Sequence, residues 1–321
     1  MIRRRHLLGG AGLAATGLLG VGCASALPEG LEVHELSWLD VQRDRPVLAR
    51  LTLPAERSGS TPRPLVVISP GIGSNRFGYS YLAGGLAQRG WACLNLEHVG
   101  SNRQVWWGNP WSLVDRLQHA AREEEALARV LDLRFALDQV LGASAWRGRV
   151  DAERVVGAGH SYGANTLMLA AGAGVRRQGQ ALNLREPRLK AVVLMSAPPF
   201  YGEADVPAVV GGISVPNLHI TTTEDVIKIP GYLSPVEDRL TLYQHMGGAR
   251  KGLLVFKGGS HSIFTDRSAP GGFSHNAQVK AATTEISHLW LAAALQGQAP
   301  STSALEAWRG QYAAAVERLE L

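Results

Sequence analysis

Six short apolar runs, separated by segments of helical period, constrain this chain more than any other feature of its 321 residues. They are "PLVVISP" (Pro64 to Pro70), "WACLNLE" (Trp91 to Glu97), "RVVGAGH" (Arg154 to His160), "KAVVLMS" (Lys190 to Ser196), "PNLHITT" (Pro216 to Thr222) and "KGLLVFK" (Lys251 to Lys257). Each has the length and the β-branched content of a buried strand. Between them, "YSYLAGGLAQRG", "REEEALARVLDLRFALDQVLG" and the alanine-rich run after Ser161 repeat with helical period. Strand and helix in alternation predict an α/β fold: a mostly parallel central sheet with helices on both faces. Upstream, "LEVHELSWLD" and "RPVLARLTLP" predict an antiparallel pair, and "SHNAQVKAATTEISHLWLAAAL" predicts a closing amphipathic helix. There is no internal repeat and no second hydrophobic core, so residues 27–321 read as one catalytic-size domain.

The first 26 residues stand apart from that domain. "MIRRRHLLGGAGLAATGLLGVGCASA" has a basic start, an apolar middle and the small-residue ending Ala24-Ser25-Ala26, the pattern of an export signal. Arg4-Arg5-His6-Leu7-Leu8 resembles a twin-arginine signal, with an ordinary secretory leader as the alternative. The expected location is therefore periplasmic or extracellular. Cys23 after Gly22 leaves a lipid anchor open, although Gly20 stands where a lipoprotein site usually has leucine. Removing the leader takes away three arginines and no acid, so the formal charge falls from +5 to +2. That balance excludes a nucleic-acid partner. Cys93 is then the one remaining cysteine, and it reads as a buried thiol with no disulfide.

In sheets of this kind ligands bind beyond the carboxyl ends of the strands. Ser161 lies at such an end, in Gly159-His160-Ser161-Tyr162-Gly163, a G-x-S-x-G nucleophile elbow between a strand and a helix. Alone this pattern is weak. It gains force from a serine, acid, histidine chain order. His261 follows the last strong strand in "FKGGSHSIF" and reads as the general base; His98, His160, His275 and His288 read as structural. In "HITTTEDVIKIP" the acid is Asp225, with Glu224 as the alternative. Its task is to orient the imidazole and stabilise its charged form. An oxyanion hole needs two N–H groups, and Ile72 in "ISPGIGSNR" and Tyr162 after the serine are the candidates.

Trp106, Trp107 and Trp111 in "RQVWWGNPWSLVDR" follow the Trp91-to-Glu97 strand. They read either as the wall of an acyl or alcohol pocket or as a loop packed onto the domain, and both remain open. Arg122 to Glu125 reads as a solvated helix face. Only about twenty residues separate Val99 from Arg122, too few for a large lid, which favours short acyl groups.

"LVVISPGIGSNRFGYSYLAGGLAQRGWACLNLEHVGSN", "GAGHSYGANT" and "GGSHSIFTD" together resemble the α/β-hydrolase superfamily, in its dienelactone-hydrolase-like and platelet-activating-factor-acetylhydrolase-like branch. The resemblance implies an α/β-hydrolase fold, with Ser161 as nucleophile, Asp225 as acid, His261 as base, and Ile72 and Tyr162 as oxyanion donors. Three positions depart from the pattern: Pro70 replaces a frequent histidine, Thr222 a frequent glycine, and Ser161 the cysteine of dienelactone hydrolases themselves. The expected activity is hydrolysis of a small-molecule or lipid-like carboxylic ester through an acyl-enzyme, without cofactor or metal, since no H-e-x-x-H-like ligand cluster is present. A peptidase on the same fold and a catalytically silent binding protein are the alternatives.

Overall fold

The computed structural model describes residues 30–55, 61–177, 180–200, 202–229, 232–248, 250–267 and 273–321. The expected export signal, residues 1–26, and Cys23 with it, lie outside them. In chain order the elements are β1 (Leu31–Asp40), β2 (Arg45–Pro54), β3 (Arg63–Ser69), α1 (Ser80–Gln88), β4 (Ala92–Glu97), α2 (Leu113–Ala120), α3 (Glu123–Gly142), β5 (Val150–His160) and α4 (Tyr162–Ala171). A small ribbon follows, β6 (Arg176–Arg177) and β7 (Gln180–Ala181), then β8 (Leu189–Met195), α5 (Val206–Val210) and β9 (Asn217–Thr222). A second ribbon, β10 (Ile227–Ile229) and β11 (Tyr232–Ser234), leads to α6 (Val236–His245), β12 (Lys251–Phe256), α7 (Phe273–Leu295), α8 (Thr302–Tyr312) and β13 (Val316–Glu320).

Nine strands form one sheet in the order β1-β2-β4-β3-β5-β8-β9-β12-β13. The run from β4 to β12 is parallel, and β1, β2 and β13 are antiparallel to their neighbours. The central strands are buried along nearly their whole length because both faces are covered, which is why they read as unbroken apolar runs. Leu65 and Val67 of β3 pack on one side with Val130, Leu133, Leu137 and Val140 of α3 and Leu167 and Met168 of α4. Val66 and Ile68 point the other way, toward Leu82 and Leu86 of α1 and Val279, Ile286 and Trp290 of α7. The period-two alternation of a strand thus divides one core between two faces.

The upstream antiparallel pair and all six inner strands lie where the sequence places them, with β5 starting four residues earlier, at Val150. The closing strand β13 escapes sequence reading because three of the five residues in "VERLE" are charged and it pairs only at the sheet edge. Cys93 is buried and unpaired, and burial pushes its thiol pKa up. Among the described residues no helix is long and apolar enough to cross a membrane.

Candidate active site

The carboxyl ends of β3, β5, β9 and β12 bring four loops to one edge of the sheet. At the end of β5 the chain turns into α4 through Ser161, which has φ 55° and ψ −125°. A non-glycine residue held there costs on the order of 1–3 kcal/mol, so the turn persists only because its surroundings fix it. Ser161 N donates to Met195 O of β8 at 2.9 Å. The flanking glycines are sterically required: a Cβ on Gly159 would lie 2.5 Å from Gly163 O, and one on Gly163 would lie 1.9 Å from Ser69 O.

His261 stands five residues beyond β12, after a turn through Gly258 (φ 63°) and Gly259 (φ 90°). Its Nε2 is 2.8 Å from Ser161 Oγ, and its Nδ1 is 2.8 Å from Asp225 Oδ1. A carboxylate can only accept, so Nδ1 carries the proton and Nε2 is left to accept from the serine hydroxyl. Asp225 is fully buried, whereas neighbouring Glu224 is exposed to solvent. Thr221 Oγ1 donates to Asp225 Oδ2 at 2.7 Å, and Arg239 Nε sits 3.4 Å from the same oxygen. Burial by itself would raise the Asp225 carboxyl, but the His261 hydrogen bond and the charges of His261 and Arg239 outweigh it and hold the group below the usual carboxylate range. Thr222 Oγ1 donates to Gly259 O, which joins the loop carrying the acid to the loop carrying the histidine.

After β3, Pro70-Gly71-Ile72-Gly73 passes beside the serine, with a Cβ on Gly71 falling 3.2 Å from Ser161 Cβ. Gly71 N donates to Tyr79 Oη at 3.1 Å and Gly73 N to Ser101 O at 2.8 Å. The N–H of Ile72 between them has no acceptor among the described residues. Tyr162 is the first residue of α4, where an N–H lacks an intrahelical acceptor. Two uncommitted donors therefore flank Ser161, one in the residue that follows it and one in the adjoining loop.

The three tryptophans belong to the segment between β4 and α3, which forms two 3₁₀ turns and α2. Trp106 donates its indole N–H to Gly73 O at 2.8 Å, and the Arg267 guanidinium lies 5.6 Å above its ring. At the far end of the segment Tyr162 Oη donates to Arg122 O at 3.4 Å. Trp106 thus borders the loop that carries Ile72. Trp107 and Trp111 are 66% and 92% exposed and stand open to solvent, so neither is an enclosed pocket wall.

Sequence reading missed the polar structure beneath these loops. Arg122, Glu123 and Glu124 are exposed, but Glu125 turns inward to accept from Arg45 at 3.0 Å and from Ser101 Oγ at 2.9 Å, which corrects the reading of that run as wholly solvated. Arg129 and Asp132 are buried on the same helix. His98 bridges Ser69 Oγ and Asp132 Oδ2, each at 3.1 Å. Burial foremost, with Arg129's charge, pushes His98 down to about 4, so it is neutral near pH 7. Ser69, His98 and Asp132 imitate the hydrogen-bond order of Ser161, His261 and Asp225, but all three are at most 1% exposed and no substrate reaches them. His160 joins two further loops: its Nδ1 accepts from Tyr79 Oη at 2.9 Å, and its Nε2 donates to His261 O at 2.9 Å. The one sequence signal for this layer was a charged residue in a core register, since Arg129 shares a helical stripe with buried Leu133, Ala136 and Val140.

Among solved structures, a ferulic acid esterase from Streptomyces cinnamoneus superimposes with a TM-score of 0.61 at 21% identity, over 89% of this chain and 97% of that one. A cold-adapted esterase from an Arctic intertidal metagenomic library gives a TM-score of 0.53 at 19% identity, over 82% and 95%. The fold is that of the α/β-hydrolases. No family profile matches the sequence, and no curated protein matches it significantly. On this α/β-hydrolase sheet the elbow serine, the buried aspartate and the histidine occupy strand ends along one edge, and among the described residues no three His, Cys, Asp or Glu side chains cluster as metal ligands.

Proposed function

We propose that this chain is a serine hydrolase of carboxylic esters. The observation that carries the reading is the unbroken hydrogen-bond line from Ser161 through His261 to Asp225, beside the uncommitted N–H groups of Ile72 and Tyr162. His261 Nε2 takes the serine proton as Oγ attacks the ester carbonyl, and the two N–H groups stabilise the oxyanion that forms. Asp225 stabilises the imidazolium. His261 then protonates the leaving alkoxide as the tetrahedral intermediate collapses to an acyl-enzyme and alcohol. Water, deprotonated by the same histidine, attacks the acyl carbonyl, and collapse of the second intermediate releases the acid and returns the proton to Ser161.

That two solved neighbours are esterases favours ester hydrolysis, and the motifs favour the dienelactone-hydrolase-like and platelet-activating-factor-acetylhydrolase-like branch. Short acyl esters, roughly two to six carbons, are the proposed substrates. The short segment between β4 and α3 supports that preference, since it leaves no room for a large lid, and Trp106 is bonded to Gly73 O next to Ile72. The amino-terminal sequence supports export, with Cys23 as a lipid attachment site if cleavage precedes it. Turnover of p-nitrophenyl esters from acetyl to palmitoyl, with Ser161→Ala alongside, tests the reading. Hydrolysis of the short esters by the wild type and none by the variant is expected; undiminished hydrolysis by the variant would remove Ser161 from the mechanism.

A further inference from the structure

We infer that Arg129 is a positioning residue for the oxyanion hole, holding from inside the body both segments that carry its donors. The inference rests on the function proposed above. Arg129 lies on α3 with its side chain fully enclosed. Its Nη2 donates to the carbonyl of Pro70 and, at 3.3 Å, to Ser69 Oγ, the two residues that lead into Gly71 and Ile72. Its Nη1 donates to Ser101 Oγ at 2.7 Å, and Ser101 O in turn accepts from Gly73 N at 2.8 Å. Ile72 is therefore tied on both sides to one guanidinium.

The second donor is held by the same group. Arg129 Nε donates to Thr166 Oγ1 at 2.8 Å, and that hydroxyl donates to Tyr162 O at 3.0 Å. The guanidinium carbon also lies 4.5 Å from the centroid of the Tyr162 ring. A planar fork with five N–H groups can satisfy four acceptors at these fixed directions, which an ammonium cannot.

The site is built to keep Arg129 in place without a carboxylate against it. Glu125 is engaged by Arg45 and by the Ser101 hydroxyl, and Asp132 by Arg43, Arg45 and His98. Among the described residues neither acid forms an ion pair with Arg129. Its hydrogen bonds are all spent on the two donor segments and on the serines and threonine that brace them. Buried arginines without an adjacent carboxylate are costly, so one whose hydrogen bonds go to the oxyanion loop, the elbow helix and the serines that brace that loop points to positioning.

The test uses the full chain with Arg129→Met, Arg129→Lys and Thr166→Val. Active sites are titrated with a fluorophosphonate, and kcat and KM for p-nitrophenyl butyrate are expressed per titrated site. The inhibition constant of an alkyl trifluoromethyl ketone, whose serine hemiketal places an oxyanion in the hole, is measured beside them. Losing one donor outright costs about 10²- to 10³-fold in kcat, so misplacing both donors without removing them should cost about 10- to 100-fold. Arg129→Met should show that loss with KM changed less than about threefold and the ketone weakened by the same factor as kcat, and Arg129→Lys a partial return. Thr166→Val should show a smaller loss of the same kind. A lower titre with unchanged kcat per site would mean a merely structural role and overturn the inference, as would a fall in kcat with full ketone affinity. If Arg129→Met does not fold, Thr166→Val and Ser101→Ala carry the test, and wild-type kcat and ketone binding in both overturn it. A wild type that takes no fluorophosphonate overturns the proposed function and this inference together; a labelled wild type matched by its variants overturns this inference alone.

Discussion

Replacing Asp225 with asparagine should do more here than disable the proposed triad. An amide can donate to His261 Nδ1 and so favour the tautomer with the proton on Nε2, where it cannot accept from Ser161; the expected loss in kcat is about 10⁴-fold. The same change strips Arg239 of the charge 3.4 Å from its Nε, in a place where the two side chains are 2% and 0% exposed. Removing one partner of a buried ion pair typically costs about 3–5 kcal/mol. For a domain of this size 1 kcal/mol corresponds to about 2–4 °C, so Tm should fall by about 6–20 °C. Asp225→Asn combined with Arg239→Met removes both charges, and it should recover most of the lost Tm and none of the lost rate. Differential scanning calorimetry and kcat on p-nitrophenyl butyrate for the two single variants and the double variant complete the cycle. A single variant as stable as the wild type, or a double variant no more stable than Asp225→Asn, would refute the claim that Arg239 and Asp225 support each other. Glu224→Gln, on the solvent side of the same loop, is the control and should leave rate and Tm unchanged.

Gly163→Ala drives a methyl group to 1.9 Å from a backbone oxygen of β3, where nothing flexible can yield, so a loss of at least about 1–3 kcal/mol in chemical denaturation is expected together with loss of fluorophosphonate labelling. His219 is buried with no hydrogen-bond partner for Nε2 among the described residues, and burial, with Lys251's charge, pulls it down to about 3. Its unfolded form binds a proton below about pH 6.5 while the folded form does not until about pH 3, so folding stability falls as pH drops through that window. Proton uptake on unfolding at pH 5 should decrease by about one in His219→Leu, measured from the pH dependence of urea denaturation. Trp106→Ala opens the approach beside Gly73, and the ratio of kcat/KM for octanoyl over acetyl esters should rise about tenfold, with a wild-type optimum at palmitoyl refuting the short-acyl proposal.

Much of this architecture could be read from the chain because the signals are local. Strands such as "LVVIS" are apolar throughout since both faces are covered, and the turn glycines around Ser161 and His261 mark strand ends. The two conformations at Gly258 and Gly259 have positive φ, and Gly159 and Gly163 have no room for a side chain, so each glycine is visible in sequence for a local reason. The layer below the site was not visible. Arg129 meets Ser69, Pro70, Ser101 and Thr166 from 28 to 60 residues away, and Arg239 reaches Asp225 only once α6 packs beside β9. A charge in a helical core register is a hint of such a partner, but it does not say which one. The exposure of Trp107 and Trp111 was equally hidden, because an aromatic cluster reads the same whether it packs inward or faces solvent.

On the proposed mechanism Ser161 is acylated during turnover. Rapid mixing with p-nitrophenyl butyrate, acid quench and peptide mass spectrometry measures it directly, and a slowly deacylating carbamate extends the lifetime of the adduct where needed. One butyryl or carbamoyl group per active chain is expected on the peptide containing Gly159-His160-Ser161-Tyr162-Gly163, absent in Ser161→Ala. Steady turnover with an adduct on another residue, or with carbamate inactivation retained in Ser161→Ala, would contradict it.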